Sequence, residues 1–353
     1  MSGHGTAEAG RVAWVDVAKG ICIIFVVMMH STLGLEHAAG QDGFMNAVVT
    51  FARPFRMPDF FLLSGLFLSR VIDRDWRTYG DKRVLHFLYF YVLWFLIQFG
   101  MKGWGLAGGD PKEFLRLFLL GFIEPLGTLW FIYMLAVFSV VTKLLRGVPA
   151  ILLIAVAAAL EIAPVATGWT AIDEFSERWV FFLLGYFGAP LIFRLAALVP
   201  QHRLGALVGL GIWALINGFL AFTPGPSADW PTLASLPVVS LVLGVAGAFA
   251  IITVANLLLV AGRGEALRYC GTNSIVIYLA FFLPMAIMRT LLIKTGAVDV
   301  IGTGWGAVIV TTTAVVVPLI VARILRGTPL DFLFVRPAAF RLAPRRAPLA
   351  PAE

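Results

Sequence analysis

Long apolar stretches recur along the chain at a spacing typical of membrane-spanning helices. There are ten of them, at residues 15–35, 57–73, 84–104, 127–144, 148–166, 179–197, 204–223, 234–261, 271–293 and 304–324. A helix needs roughly 20 apolar residues to cross the hydrocarbon core of a bilayer. The pattern therefore predicts an all-α integral membrane protein with about ten transmembrane helices.

The composition agrees with this fold class and narrows the possible partners. Of the 353 residues, 60% are hydrophobic and 13% are charged, and the mean hydropathy is +0.90. The charged fraction is about half that of an ordinary soluble domain. A soluble enzyme, a secreted domain and a nucleic-acid-binding module are thus excluded as main interpretations, despite the net charge of +7. We expect one transmembrane domain over residues 1–353, a lipid bilayer around it and no nucleic-acid partner.

The placement of basic residues predicts the orientation, because cytoplasmic loops carry an excess of Lys and Arg. If both termini are cytoplasmic, 18 basic residues fall inside and 8 outside, and Lys19 within the first span completes the 27. We therefore expect an N-in, C-in protein with a short cytoplasmic N-terminus at residues 1–12. A basic cytoplasmic tail is expected at residues 327–353.

Two segments do not fit as spans. Residues 111–122 place charged side chains along one side of a mostly apolar helix, which is typical of an interfacial or re-entrant segment on the outer surface. Residues 329–346 mix phenylalanines with four arginines, Arg336, Arg341, Arg345 and Arg346. We expect this tail to lie on the cytoplasmic leaflet, where basic residues meet anionic lipid.

Neither a metal site nor a disulfide framework is expected from the two cysteines. Cys22 and Cys270 both lie in apolar segments, and neither has a second cysteine or a histidine at a metal-binding spacing. The first apolar stretch lacks the short apolar region and small-residue cleavage site of a signal peptide. It is therefore predicted to be a retained first span.

The first span carries three ionisable residues, Asp16, Lys19 and His30. Lys19 and His30 are eleven residues apart, which in an α-helix is about 20° around the axis and about 16 Å along it. They therefore share one face, and Asp16 lies one turn from Lys19, close enough to pair with it. Such a stripe must face the bundle interior or a water-filled cavity. The alternatives are a histidine satisfied at an interface or in the core, and a lysine that extends to the cytoplasmic surface.

The second span begins with two charged residues, Arg56 and Asp59, on either side of Pro58. Proline near a helix start is ordinary, and the Ser64-Gly65 pair further along is compatible with simple helix packing. These explanations do not account for Arg56 and Asp59. Both are therefore candidates for substrate binding, together with Ser64 and with Arg70 at the end of the segment.

Five segments together resemble the membrane-bound acyltransferase-3 superfamily, which contains sugar O-acetyltransferases and glucan or exopolysaccharide succinyltransferases of bacterial envelopes. They are WVDVAKGICIIFVVMMH at 14–30, FRMPDFFLLSGLFLSR at 55–70, LWFIYML at 129–135, RWVFFLLGYF at 178–187 and CGTNSIVIYLAF at 270–281. Their order and spacing follow the family over most of the chain. The first two motifs are fairly specific together, and the later three are weak alone.

The first motif of the family matches at Asp16, Lys19, Gly20 and His30, with Lys19 where the family usually has Arg. The second matches at Phe60, Phe61, Ser64 and Gly65. Leu66 stands where the family has Phe, and the chain departs from the family pattern at other positions as well. Arg56 stands where a histidine often precedes Met-Pro, and Ala280 and Phe281 stand where the late motif often ends in histidine, so a second catalytic histidine is not expected.

The resemblance implies a bacterial inner-membrane acyltransferase. Its co-substrate would be a cytoplasmic acyl-CoA, acetyl-CoA or succinyl-CoA, with no bound cofactor and no metal. The acceptor would be a hydroxyl of an envelope or exported glycan. The basic loop at residues 70–83 is on the expected donor side and is a candidate for holding the phosphates of the coenzyme. Plain positive-inside bias explains the loop about equally well.

Acyl transfer to a hydroxyl requires a base for its proton and donors for the oxyanion. Histidine suits the first task because its unperturbed pKa is about 6.5. His30 is therefore the expected general base, on the helix face that carries Asp16 and Lys19. Arg56 and Ser64 are the candidate oxyanion or substrate donors.

Two other functions are compatible with parts of the sequence. A secondary transporter or flippase would use Asp16, Lys19 and His30 as a proton relay. A multispan glycosyltransferase would need acidic residues in the first outer loop, where Glu36 and Asp42 lie. A transporter should also show helices broken at matching places in two halves, and no such pairing is evident in the sequence.

The orientation predicts the behaviour of fused topology reporters. A reporter that is active only outside the cytoplasm should be active after residue 108, in a sparsely charged loop, and silent after residue 78, in the most basic loop. Enzymatic activity of the two fusions in intact cells is the measurement. Reversed activities would overturn the orientation and the side from which the donor is expected.

Overall fold

The computed structural model describes residues 12–342, which are helical and contain no β-strand. Sixteen α-helices follow one another along the chain: α1 (Ala13–Ala39), α2 (Met45–Ala52), α3 (Arg56–Gly65), α4 (Trp76–Gly80), α5 (His86–Leu106), α6 (Pro111–Leu120), α7 (Trp130–Leu144), α8 (Ala150–Ile162), α9 (Thr170–Leu198), α10 (Arg203–Phe222), α11 (Val239–Val260), α12 (Glu265–Thr272), α13 (Ser274–Ala280), α14 (Phe282–Lys294), α15 (Ala297–Ile301) and α16 (Thr303–Leu325). A π-helical turn, Asp81–Leu85, joins α4 to α5.

The all-α membrane fold is confirmed, whereas the count of ten spans is not. Within the described residues, seven helices are long and apolar enough to cross a membrane, and an eighth span results if α13 and α14, bent by 53°, count as one. Two predicted spans are shorter than expected. Residues 57–73 contain only the ten-residue α3, and residues 148–166 contain only the 13-residue α8. At 1.5 Å per residue these are about 15 and 20 Å long, against about 30 Å of hydrocarbon.

The predicted second span ends early, at Gly65. The Ser64 hydroxyl donates to the carbonyl oxygen of Phe60 at 2.7 Å, and a 3₁₀ turn, Leu68–Arg70, follows the helix. The loop beyond is held by Lys143 of α7, whose buried ammonium group donates to two carbonyl oxygens, those of Ile72 and Arg74. The chain thus turns where a continuous helix was expected.

Contacts between elements show the direction in which the short helices run. Glu124, before α7, accepts a hydrogen bond from the Thr170 backbone N–H at the start of α9 at 2.6 Å. Lys143, near the other end of α7, contacts the loop after α3. Since α7 and α9 begin at the same end of the bundle, the chain must return across it through α8. The orientation of the bundle relative to the cytoplasm stays a prediction.

Two pairs of glycines allow helices to approach until their backbones touch. A Cβ on Gly20 of α1 would overlap the Leu267 carbonyl oxygen of α12, and one on Gly271 of α12 would overlap the carbonyl oxygen of Asp16. A second pair joins α3 to α9 in the same way, at Gly65 and Gly185. Small residues are favoured at such contacts between membrane helices. All four glycines lie in the motifs that carry the family resemblance, so these motifs encode helix packing.

The amphipathic segment predicted at residues 111–122 forms the separate helix α6. Asp110 caps it by accepting from the Lys112 backbone N–H at 3.0 Å. On its polar side Arg116 lies 2.7 Å from Glu113, and this hydrogen-bonded contact lowers the pKa of the Glu113 carboxyl. On its apolar side Phe114 packs against α5, with its ring centroid 4.9 Å from that of Phe99.

One arginine of the C-terminal tail, Arg336, does not make the lipid contact that was expected of it. Residues 329–342 pack against the helical bundle, and the Arg336 guanidinium lies 2.8 Å from Asp81 with both side chains 7% exposed. The Leu342 backbone N–H donates to the same carboxylate at 2.7 Å. Arg336 therefore does not face lipid as expected, because a carboxylate on the π-helical turn binds it inside the protein. Residues 1–11 and 343–353, with Arg345 and Arg346, lie outside the described part of the chain.

The glycine contact between α1 and α12 predicts that replacing glycine by alanine will lower the stability more at this contact than at an exposed glycine. Gly20→Ala should lower the stability by about 1–3 kcal/mol, because the added methyl group meets backbone that cannot rotate away. The control is Gly209→Ala in the exposed helix α10, where nothing lies within 4 Å of the added group. It should be neutral or stabilising by up to about 1 kcal/mol. Thermal unfolding of the two purified variants compares them, and equal midpoints would contradict the packing described here.

Candidate functional site

Two cavities lie side by side within the described part of the helical bundle. The Lys19 cavity measures about 240 Å³, and its polar lining includes Lys19, Ser64 and Arg83. The His30 cavity measures about 210 Å³ and contains His30, Arg56, Glu174 and Arg178. α1 contributes a residue to both cavities, as expected for a polar stripe that faces the interior.

His30 lies against an aromatic ring. Its imidazole is tilted by 31° relative to the ring of Phe281, with ring centroids 5.6 Å apart. Phe281 is fully buried and lies at the break between α13 and α14. This is a position at which the resembled family often has histidine. The late motif at residues 270–281 therefore lies beside His30, and in this chain it places an apolar ring against the imidazole.

Arg56 enters the same cavity from the first turn of α3. Among residues 12–342, its Nε and Nη1 groups are buried and have no hydrogen-bond partner. Arg178 differs, because it lies 3.2 Å from Glu174 and 2.7 Å from Glu177. One guanidinium is thus balanced by carboxylates, and the other has donors directed at no described acceptor.

A further cation lies near this end of the site. Lys102 of α5 lies over the ring of Phe282, 3.1 Å from its centroid, and Phe282 directly follows Phe281, the residue whose ring lies against His30. Buried N–H donors and positive charge are the features that stabilise an oxyanion. The His30 cavity is therefore suited to a reaction in which negative charge develops on oxygen.

The Lys19 cavity combines two cations with a mostly apolar lining, in which aromatic side chains are the most numerous. Arg83 reaches it from the π-helical turn and donates through Nη2 to the carbonyl oxygen of Phe67 at 3.3 Å. Lys19 reaches it from α1. The Ser64 hydroxyl already donates to the Phe60 carbonyl, so its hydrogen is engaged within its own helix. A lysine and an arginine beside apolar walls suit a ligand with anionic groups and an apolar arm.

The site residues that the sequence predicted do not form one cluster in the structure. Ser64 and Arg56, expected to act as one donor set, line different cavities, because α3 runs from one cavity to the other. Asp59, between them, is 1% exposed and has no partner for either carboxylate oxygen within the described chain. Asp16 lies beside α12 and lines neither cavity. Arg70 is exposed, with its guanidinium 4.7 Å from the Phe67 ring.

Several residues of the site were not singled out from the sequence. Glu174 and Arg178 lie at the start of a long apolar helix, where a charged residue is commonly assigned to the interface. Tyr278 and Phe131, which line both cavities, lie inside apolar motifs with no polar pattern. Glu36, noted as a possible glycosyltransferase acid, instead ties α1 to the next turn by accepting from the Gly43 backbone N–H and the Asn46 amide.

These features define a helical protein, with several helices long and apolar enough to span a membrane, in which a cavity that contains His30 lies beside a cavity lined by Lys19 and Arg83. The Acyltransferase domain of the acyltransferase-3 family matches residues 12–323, and the chain belongs to this family. The inner membrane protein YcfT of Escherichia coli K12 is 26% identical to this chain over 230 residues. The match covers 57% of this chain and 64% of YcfT. No solved structure matches the chain.

The two arginines of the His30 cavity should differ in their effect on stability. Arg178→Met should destabilise the protein by about 1–3 kcal/mol, because partly buried carboxylates lose their partner. Arg56→Met should leave the unfolding midpoint unchanged or raise it, since no ion pair with the described residues is lost. Thermal unfolding in the absence of substrate measures both. An Arg56 variant less stable than the Arg178 variant would show that Arg56 has a structural partner.

Proposed function

We propose that this protein transfers an acyl group, acetyl or succinyl, from acyl-CoA to a hydroxyl of an envelope or exported glycan at the bacterial inner membrane. The observation that carries the proposal is the meeting of His30 and Arg56 in one cavity, next to a second cavity lined by Lys19 and Arg83. Family membership supports acyl transfer as the class of reaction. The two cavities support two substrates that meet between them.

His30 acts as the general base in this mechanism. The hydroxyl oxygen of the glycan attacks the thioester carbonyl carbon while His30 accepts the hydroxyl proton. The tetrahedral intermediate then collapses, the carbon–sulfur bond breaks, and the proton passes from His30 to the coenzyme sulfur. The products are an acyl ester of the glycan and free CoA. Phe281 against the imidazole limits the orientations that the ring adopts.

Arg56 stabilises the charge that forms on the carbonyl oxygen. Its Nε and Nη1 donors lack described partners in the resting structure, so they are available when the oxyanion appears. A buried donor that is engaged only in the transition state lowers the barrier without tightening ground-state binding. Loss of one such donor costs about 10²–10³-fold in rate in known enzymes.

Lys19 and Arg83 hold the donor at the other end. The phosphates of acyl-CoA are multiply charged, and the two cations give them a binding site whose remaining lining is mostly apolar, with three serines. Lys19 binds as a point charge, because an ammonium group lacks the planar fork of arginine. With the predicted orientation, this cavity lies toward the cytoplasm and the His30 cavity toward the glycan.

A pair of histidine variants on one helix tests the proposal. His30→Ala and His30→Gln should each reduce transfer by about 10²–10⁴-fold, because neither side chain accepts the hydroxyl proton. The control is His37→Gln, at an exposed position seven residues further along α1, which should retain wild-type activity. Release of free thiol from acyl-CoA and mass spectrometry of the glycan measure the reaction.

Either of two results would contradict the proposal. Folded His30→Ala that transfers at a rate within a few-fold of wild type would make His30 structural. Wild-type protein that yields no acyl product with any acyl-CoA, yet shows pH-dependent flux of a solute in vesicles, would support the proton-relay transporter instead.

A further inference from the structure

Three aromatic residues belong to the lining of both cavities. Phe60 of α3, Phe131 of α7 and Tyr278 of α13 are the residues that the Lys19 cavity and the His30 cavity share. We call this set the aromatic wall. Each member comes from a different helix, so the wall exists only where these three elements converge.

The rings of the wall pack against one another. Phe60 and Phe131 are stacked with centroids 4.6 Å apart, and Phe131 meets Tyr278 edge to face at 5.6 Å. All three side chains are buried, with exposures of 4–6%. The wall is therefore closely packed in this structure, and an object that passes between the cavities must displace at least one ring.

The three rings are not equally free to move. The Tyr278 hydroxyl donates to the Thr128 carbonyl oxygen and accepts from the Ile132 backbone N–H at 3.3 Å, so its displacement breaks two hydrogen bonds. Phe60 and Phe131 are held by packing alone, which a rotation of the side chain can relieve. Phe131 lies between the other two members of the wall. Its ring also contacts that of Phe61, with centroids 4.7 Å apart.

We propose that the aromatic wall is an aperture for the acyl thioester and that Phe131 sets the length of the acyl group that the enzyme transfers. This inference rests on the proposed function, since the donor must extend from the Lys19 cavity to His30. The acyl chain enters a cavity of about 210 Å³ that must also admit the acceptor hydroxyl. A small acyl group passes with a limited movement of Phe131, and a long alkyl chain does not.

The aperture predicts a change of specificity that simple destabilisation does not produce. Wild-type protein should transfer acetyl and butyryl groups and discriminate strongly against octanoyl. Phe131→Ala should raise the ratio of kcat/KM for octanoyl-CoA to that for acetyl-CoA by at least about tenfold, the order at which a hydrophobic site discriminates methylene groups. Phe131→Leu keeps much of the apolar volume and should shift the ratio in the same direction by less.

The matched control is Phe138→Ala, about two turns further along α7. Phe138 is fully buried among Phe61, Phe175 and Phe182 and lines neither cavity. Its loss should lower stability as much as that of Phe131 while the ratio of octanoyl to acetyl transfer stays at the wild-type value. Rates are measured by thiol release for the donors acetyl-, succinyl-, butyryl- and octanoyl-CoA with one glycan acceptor.

The outcomes separate the aperture from the reaction itself. Wild-type acetyl transfer together with an unchanged chain-length preference in both Phe131 variants would overturn the aperture and leave the proposed function intact. An equal shift in Phe138→Ala would also overturn it, because the effect would then follow from loosened packing. Absence of transfer by wild-type protein with every donor would overturn the proposed function and this inference with it.

Discussion

The site depends on backbone contact between helices at glycine. α1 carries both Lys19 and His30. Its position along α12 therefore fixes where both cavities lie along the axis of α1. The contact of Gly20 and Gly271 with the facing backbones sets that position, because only glycine leaves room for it. The equivalent contact between α3 and α9 fixes Arg56 relative to Arg178. Two cations and a histidine on three helices meet because these helices cannot slide past one another.

The shape of the two cavities also depends on helices that stop or bend inside the protein. α3 is only ten residues long, α13 and α14 meet at an angle of 53°, and α7 begins after a 3₁₀ turn. Irregular backbone at membrane depth is tolerated where protein buries it or where it lines a cavity. In this chain the interruptions surround the two cavities. They place Arg56, Tyr278 and Phe281 at helix ends, where side chains project into space that a continuous helix would fill.

The sequence predicted the fold class and identified four residues that line the two cavities, Lys19, His30, Arg56 and Ser64. Hydropathy identified the helices, and the eleven-residue spacing correctly placed Lys19 and His30 on one face, because helical geometry relates spacing to direction. The same pattern overestimated the length of the second span, since the loop after α3 is held by Lys143, which is distant in the sequence. Hydropathy detects apolar content and does not register where a helix ends within it.

The composition of the site was harder to predict than the fold. Arg56 and Ser64 seemed one donor set because they share a short segment, yet that segment runs along the boundary of both cavities. Glu174, Arg178 and Tyr278 join the site through contacts between helices that are far apart in the chain. Arg336 likewise resembled a lipid-binding residue, because its carboxylate partner, Asp81, lies 255 residues away. Spacing rules describe one helix at a time, and these contacts involve several.

The most direct test of the account is a structure of the protein with a non-hydrolysable acyl-CoA thioether, determined by electron cryo-microscopy in a lipid disc. The account predicts the coenzyme phosphates beside Lys19 and Arg83 and the acyl end beyond Phe131, within hydrogen-bonding reach of Arg56. A coenzyme with its phosphates at Arg56 and His30, or bound outside both cavities, would contradict the division of the site into a donor cavity and a reaction cavity.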